Sequence, residues 1–283
     1  MKSPHHNPLP AIPGEGTKLD AAALVRRAKR GIWSARLARF GLLSLAIAGF
    51  MLSRDKMMPA GLGLLFATAA GWIVLVTRTA RNQQDLLRVP AWSENGQHDR
   101  VDAALGRMLT RFSIAVRPRL HALRWAAVSR NRQGRHADAR QLAAAALSYR
   151  LPKESADGLR LIVAEAALEG GDLIGAHAAL SGLVAPLAMR DSLKLLELQT
   201  DYCVRVSAWP HAAFDLPGKA ELAELLPAQN AAVVQALLAL AARRVGQPVW
   251  AEWLARRATL LVDAATLVKQ RPMLAEVFPT ASL

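Results

Sequence analysis

The chain has 283 residues, of which 52% are hydrophobic, with a mean hydropathy of +0.15 and a formal net charge of +14. Soluble domains lie nearer to roughly 45–50% apolar, so the composition calls for a membrane or a large core and excludes a disordered chain. The single cysteine, Cys203, excludes an internal disulfide and leaves no Cys pair for zinc, which fits a reducing compartment.

The charge is local. Residues 1–81 hold 12 Lys and Arg against 3 Asp and Glu, a net +9, whereas residues 82–283 hold 24 against 19, a net +5. Within the latter, residues 100–150 carry 11 Arg against Asp102 and Asp138. Basicity therefore gathers around the most apolar part of the chain and just after it.

Residues 1–19 are rich in Pro and Gly and read as a flexible tail. Residues 20–39 carry Arg26, Arg27, Lys29 and Arg30 among Ala, Leu and Val, the pattern of a basic juxtamembrane helix lying along the inner leaflet. Residues 40–53, FGLLSLAIAGFMLS, are uncharged, and so are residues 57–77, MMPAGLGLLFATAAGWIVLVT. A spanning helix needs about 20 apolar residues, so the second run suffices alone. The first reaches that length from about residue 36 if Arg36 and Arg39 snorkel to the headgroups. A transmembrane hairpin is expected over 40–77, with spans at about 36–53 and 57–77. Gly41, Gly49, Gly61, Gly63 and Gly71 are candidates for close helix approach in lipid.

Two rival readings fit less well. A signal peptide would not begin some forty residues in, meet a second apolar run at once and lack a small-residue cleavage site. Two helices of a soluble core would each show a polar stripe, and residues 57–77 show none. Lys and Arg cluster before the first run and, at Arg78, Arg81 and Arg88, after the second, with only Arg54 and Lys56 between. The positive-inside rule then puts both termini in the cytoplasm and the tip outside, as for a multi-pass protein of a bacterial inner membrane. Trp33 and Trp72 suit its interfaces, and residues 78–96 read as a linker.

From residue 97 to 283 the chain is dominated by Ala, Leu and Arg with periodic breaks. Ala104, Ala139, Ala176, Ala212 and Ala251 each follow a break, at separations of 35, 37, 36 and 39 residues. Ala127, Ala164 and Ala239 lie 12 residues before three of them. Small side chains at paired positions let two helices cross closely, and a period of this size marks a helical solenoid. With Gly134, Gly171 and Gly246 between helices and Pro152 and Pro186 near repeat ends, residues 97–262 resemble the tetratricopeptide repeat. The period exceeds that family's 34 residues, and Trp209, Pro210 and Lys219 depart from its pattern. A membrane hairpin followed by such a domain is similar in layout alone to the HemY family. The expected fold class is all-α: a transmembrane helical hairpin followed by a tetratricopeptide-like α-solenoid.

That resemblance implies a concave face lined by the first helix of each unit, on which a protein or peptide partner would lie. In this register His121, Arg124, Val128, Asn131, Leu161, Glu165, Leu240 and Arg243 point there. Arg26, Arg27, Lys29, Arg30, Arg78, Arg81, Arg107 and Arg111 are the candidates for contact with anionic lipid of the cytoplasmic leaflet. The expected function is a membrane-anchored scaffold or adaptor. The alternative is a nucleic-acid or polyanion binder using the Arg-rich region 100–150, but Phe112, Trp125 and Tyr149 are few for base stacking, and no specific nucleic acid is expected.

Chemistry is scarce. His5, His6, His98, His121, His136, His177 and His211 form no metal-binding spacing, and no phosphate loop or serine elbow occurs. Cys203 reads as core. No enzyme, metal or cofactor is expected.

Overall fold

A computed structural model describes residues 20–54, 58–184 and 186–279. The expected tail 1–19, the tip residues 55–57 and the side chain of Arg81 lie outside what is described. All regular structure among the described residues is helical, so the fold class is all-α. In chain order the helices are α1 (Ala21–Arg54), α2 (Met58–Glu94), α3 (His98–Thr110), α4 (Arg117–Arg132), α5 (His136–Leu147), α6 (Lys153–Glu169) and α7 (Leu173–Ser181). They continue with α8 (Met189–Arg205), α9 (Trp209–Ala212), α10 (Leu216–Glu224), α11 (Ala228–Arg244), α12 (Pro248–Leu261), α13 (Ala264–Gln270) and a 3-10 turn, Pro272–Glu276. The chain divides into two compact units, residues 1–122 and 123–283.

In the first unit, two expected boundaries dissolve into longer helices. Residues 20–39 are not a separate helix along a leaflet; they are the first half of α1. Their apolar stripe, Ala21, Leu24, Ala28, Ile32 and Ala35, is buried in protein, and α1 packs on both α2 and α3. Residues 78–96 are not a linker either, because α2 runs on to Glu94. Arg, Gln, Leu and Ala there are good helix formers and carry the helix past Pro90, which forgoes one amide hydrogen bond. The helix stops where Gly96 takes φ +67°.

Stretches of α1 and α2 pass the length and apolarity needed to cross a bilayer, the most apolar 18-residue windows of Ala21–Arg54 and Met58–Ala80 having mean hydropathies of 1.5 and 1.9. Only 11% and 6% of their most apolar windows are buried, which is the reverse of a soluble core helix. Phe40, Phe50, Phe66 and Ile73 point outward. The two helices meet most closely at Gly49 and Gly61. A Cβ on Gly61 would lie 2.7 Å from the Gly49 carbonyl oxygen and from the Ser53 Cα. Gly41, Gly63 and Gly71 face open space, so only two of the five expected glycines serve close packing.

The second unit is built on one recurring turn. At Gly134 (φ +72°) the amide bonds back to the Asn131 carbonyl at 3.0 Å, and the next amide, of Arg135, bonds to the Arg130 carbonyl at 2.9 Å. This 6→1 closure is the left-handed helix stop that glycine favours. The same pair of bonds closes Gly171 with Asp172, Ser207 with Ala208 and Gly246 with Gln247. Gly96 with Gln97 repeats it in the first unit. The turns are 38, 37, 36 and 39 residues apart. Sequence reasoning singled out three of these glycines and missed Gly96 and Ser207, the latter holding φ +58° without being glycine.

Ala104, Ala139, Ala176 and Ala212 are fully buried, as are Ala127, Ala164 and Ala239, and Ala251 is 9% exposed. Ala164 and Ala176 share one core cluster, and Ala239 and Ala251 share another. The helix after the Ser207 turn is split into α9 and α10, with Asp215 at φ +52° capping the amide of Gly218. After α12 the chain turns back. Asp263 caps α13 through the amide of Thr266, and Leu267, Leu274 and Phe278 enter the cluster that holds Ala236, Leu237 and Leu240 of α11. Burying each of these large side chains contributes roughly 1.5–3 kcal/mol.

Candidate functional site

The helices α6, α8 and α11 precede successive turns and share one continuous run of polar bonds. On α8, Lys194, Glu197, Asp201 and Arg205 fall at helical spacing on a single face. Lys194 Nζ donates to Glu165 of α6 at 2.7 Å and to Glu197 at 3.0 Å, and Asn230 of α11 donates to Glu197 at 2.9 Å. Burial pushes the Lys194 ammonium down, but Glu165 and Glu197 outweigh it and the net direction is upward.

Two turns further along, Arg205 forms a two-pronged bond to Asp201, each at 3.0 Å, and donates to the Leu168 carbonyl at 2.7 Å. Arg271, beyond α13, donates to Glu169 of α6 at 2.7 Å and to Asp201 at 3.3 Å. Burial pushes the Glu169 carboxyl up. The bond from Arg271 and the charges of Arg271, Arg205 and His136 outweigh burial and hold it below its ordinary value. At the far edge, Arg243 donates to the Glu276 carbonyl, Arg244 pairs with the Glu276 carboxylate at 2.6 Å, and the Arg244 guanidinium lies over Trp209.

The residues expected on a partner-binding face fare unequally. Leu161 and Leu240 are 3% and 1% exposed; Leu198 shares a cluster with the first, and the C-terminal segment joins that of the second. Glu165 is held by Lys194, and Arg243 by the Glu276 carbonyl. Asn131 accepts from His136 at 2.8 Å. Arg124 is half-buried across Gly158, where a Cβ would meet its guanidinium at 3.2 Å. Val128 is half-buried and His121, in the first unit, is exposed. On α11 Leu240 is covered by the chain's own residues 263–278, whereas Arg243 stays exposed. Sequence reasoning missed that segment. Its one local signal is Asp263, with Thr266 three residues on, opening a short apolar helix.

Among the candidates for lipid contact, Arg26, Arg27, Lys29, Arg30, Arg78 and Arg111 are exposed and Arg107 is half-buried. Arg119 is different. Its guanidinium is buried in the first unit and donates to the carbonyls of Gly31, Ser113 and Arg111, and burial pushes its pKa down. Arg39 donates to the Ile114 carbonyl at 2.6 Å, and the Ile114 amide donates to Thr79 at 3.3 Å, so the loop before α4 is tied to both long helices. Arg130 is buried too, while Arg135 and Arg140 pair with Asp138 and Asp172.

Cys203 is buried, which raises its pKa. It borders a mostly apolar pocket of about 490 Å3 with His177, Leu183, Tyr202, Val206 and His211. His177 and Tyr202 stack there. Among the described residues no three His, Cys, Asp or Glu side chains converge as metal ligands. Compared with known proteins, the chain matches no family model, no curated protein and no solved structure.

Proposed function

We propose that the chain is a membrane-anchored adaptor in which α1 and α2 cross a bilayer and the tetratricopeptide-like helices after them hold a protein partner. The observation that carries this reading is the bond run Glu165–Lys194–Glu197–Asn230. It fixes α6, α8 and α11 side by side as one rigid surface, and solenoids of helix pairs use such surfaces to bind extended or helical segments. The exposed apolar rings of α1 and α2 support the anchor, since a patch of that size in water would aggregate. The distribution of Lys and Arg supports cytoplasmic termini, with Arg26, Arg27, Lys29, Arg30 and Arg78 at the anionic leaflet.

The polyanion reading is weaker. Of the arginines that suggested it, Arg119 and Arg130 are buried and Arg135 and Arg140 pair with carboxylates. A photo-reactive residue placed at Arg124 or Val128 of α4, or at Arg243 of α11, in native membranes should capture one discrete protein that the same residue at Leu260, exposed on α12, does not. Equal capture at Leu260, or none from any of the three, would reject the adaptor.

A further inference from the structure

The C-terminal segment is not a continuation of the helix pairs. After α12 the backbone goes extended at Val262 and Asp263 (ψ 139° and 147°), and α13 and the 3-10 turn then cross back over α11 and reach α6 and α8. The α13 helix has seven residues and the turn five, both far below the length at which a helix holds itself together in water. Their position therefore depends on the surface beneath them.

That surface has three parts in a row. At one end Glu169 and Asp201 present carboxylates that receive Arg271. In the middle, Ala236, Leu237, Leu240 and Ala241 form an apolar bed that takes Leu267, Leu274 and Phe278. At the other edge Arg243 and Arg244 meet Glu276. Acid faces base at one end and base faces acid at the other, with apolar knobs between them. This is how a helix-in-groove receptor recognises its ligand. The fit is incomplete: Arg271 Nε is buried without a partner, and the Arg244–Glu276 pair is about half exposed, where ion pairs contribute little.

We infer that the face of α6, α8 and α11 is a receptor groove for a short amphipathic segment of a partner protein, and that residues 263–278 occupy it as a resident ligand that the partner segment displaces. The partner's segment carries an arginine, apolar residues four positions before it and three and seven after it, and a carboxylate five after it. These are the places of Leu267, Leu274, Phe278 and Glu276 relative to Arg271. This rests on the adaptor reading and names what the adaptor takes. It also explains why Leu240 is covered: the groove is closed until a competitor arrives.

The test uses the detergent-solubilised full chain and a fluorescent synthetic peptide of residues 263–279. A groove held mostly closed lowers the apparent affinity by the fraction open, so the doubly substituted chain R271E/F278A should bind the peptide at least about tenfold more tightly than the natural chain. A peptide carrying R271E should bind neither. In the natural chain, adding the peptide should speed hydrogen exchange at residues 264–278 while α11 stays protected. The inference is overturned if the substituted chain loses its cooperative melt, since the segment would then be core. It is equally overturned if the peptide binds neither chain, or if residues 264–278 exchange only in step with α11. No cellular partner enters this assay, so its failure leaves the adaptor reading to the cross-linking result, whereas a failure there removes the partner from the inference even where the peptide binds.

Discussion

The guanidinium of Arg119 rests on the bare backbone of Gly31 and donates to its carbonyl, joining the start of α4 to the middle of α1 across 88 residues of sequence. A Cβ at position 31 would come within 2.5 Å of the guanidinium carbon, so the glycine is there to admit the arginine. The arginine in turn holds the carbonyls of Arg111 and Ser113, closing the loop over the two long helices.

Gly31→Ala should therefore expel a buried charge from its carbonyl partners. Loss of buried hydrogen bonds to a charged group costs about 1.5–3 kcal/mol, and part of that will be relieved by movement of the flexible side chain. In urea unfolding of the solubilised chain we expect a loss of about 1–2 kcal/mol by those measures. Arg119→Met should remove most of the sensitivity, so that the double substitution costs less than the two separately. Strict additivity would mean that the two residues do not act together.

Gly61→Ala tests the hairpin. Its new methyl would meet the Gly49 carbonyl and the Ser53 backbone, and neither can rotate away. Gly63→Ala meets nothing. The first should lower the thermal midpoint in detergent by several degrees, and the second should leave it in place or raise it slightly, because Ala is the better helix former by about 1 kcal/mol. Equal effects would place the crossing elsewhere.

Much of this architecture was legible locally. The apolar runs lie within α1 and α2, and Gly134, Gly171 and Gly246 mark helix stops because a positive φ needs little context. Ser207 takes the same turn, at φ +58°, against its own preference. Residues 20–39 suggest a helix along the leaflet because an amphipathic pattern says which side is apolar and not what covers it; α3 and α2 pack on α1. The candidate face was legible in part. Glu165 and Arg124 lie at its surface, but Leu240 is buried by a segment whose anchor to Glu169 spans 102 residues, and no local pattern reports such a contact.

The buried alanines should not tolerate bulk. Ala139→Leu and Ala176→Phe insert side chains where exposure is zero, and overpacking of this kind costs about 1–3 kcal/mol. Parent-like unfolding curves for both would remove the close crossings from the account.

The proposed topology is checked by thiol labelling with Cys203 replaced by Ala. A cysteine at Ser53 should react with an impermeant reagent in intact cells, and one at Leu260 should react only after permeabilisation. The reverse pattern would invert the hairpin.

The last prediction concerns acid. Glu169 has a folded-state pKa below its ordinary 4.5, since the bond and charge of Arg271, with Arg205 and His136, more than offset burial. A depressed carboxyl contributes stability that is fully present above its unfolded value and is lost as pH falls through the folded one. Between about pH 7 and 5 the docking of residues 263–278 should therefore be insensitive to this group, and below about pH 4.5 it should weaken as Glu169 protonates. Arg271 itself stays charged throughout, its own pKa being raised by Glu169 and Asp201 against burial. Protection of residues 264–278 against hydrogen exchange, taken relative to the intrinsic rate at each pH, should fall over that acid window ahead of α11. In Glu169→Gln the segment should already be looser at neutral pH, and the acid step should shrink. An unchanged acid step in that variant would show that Glu169 does not hold the segment down.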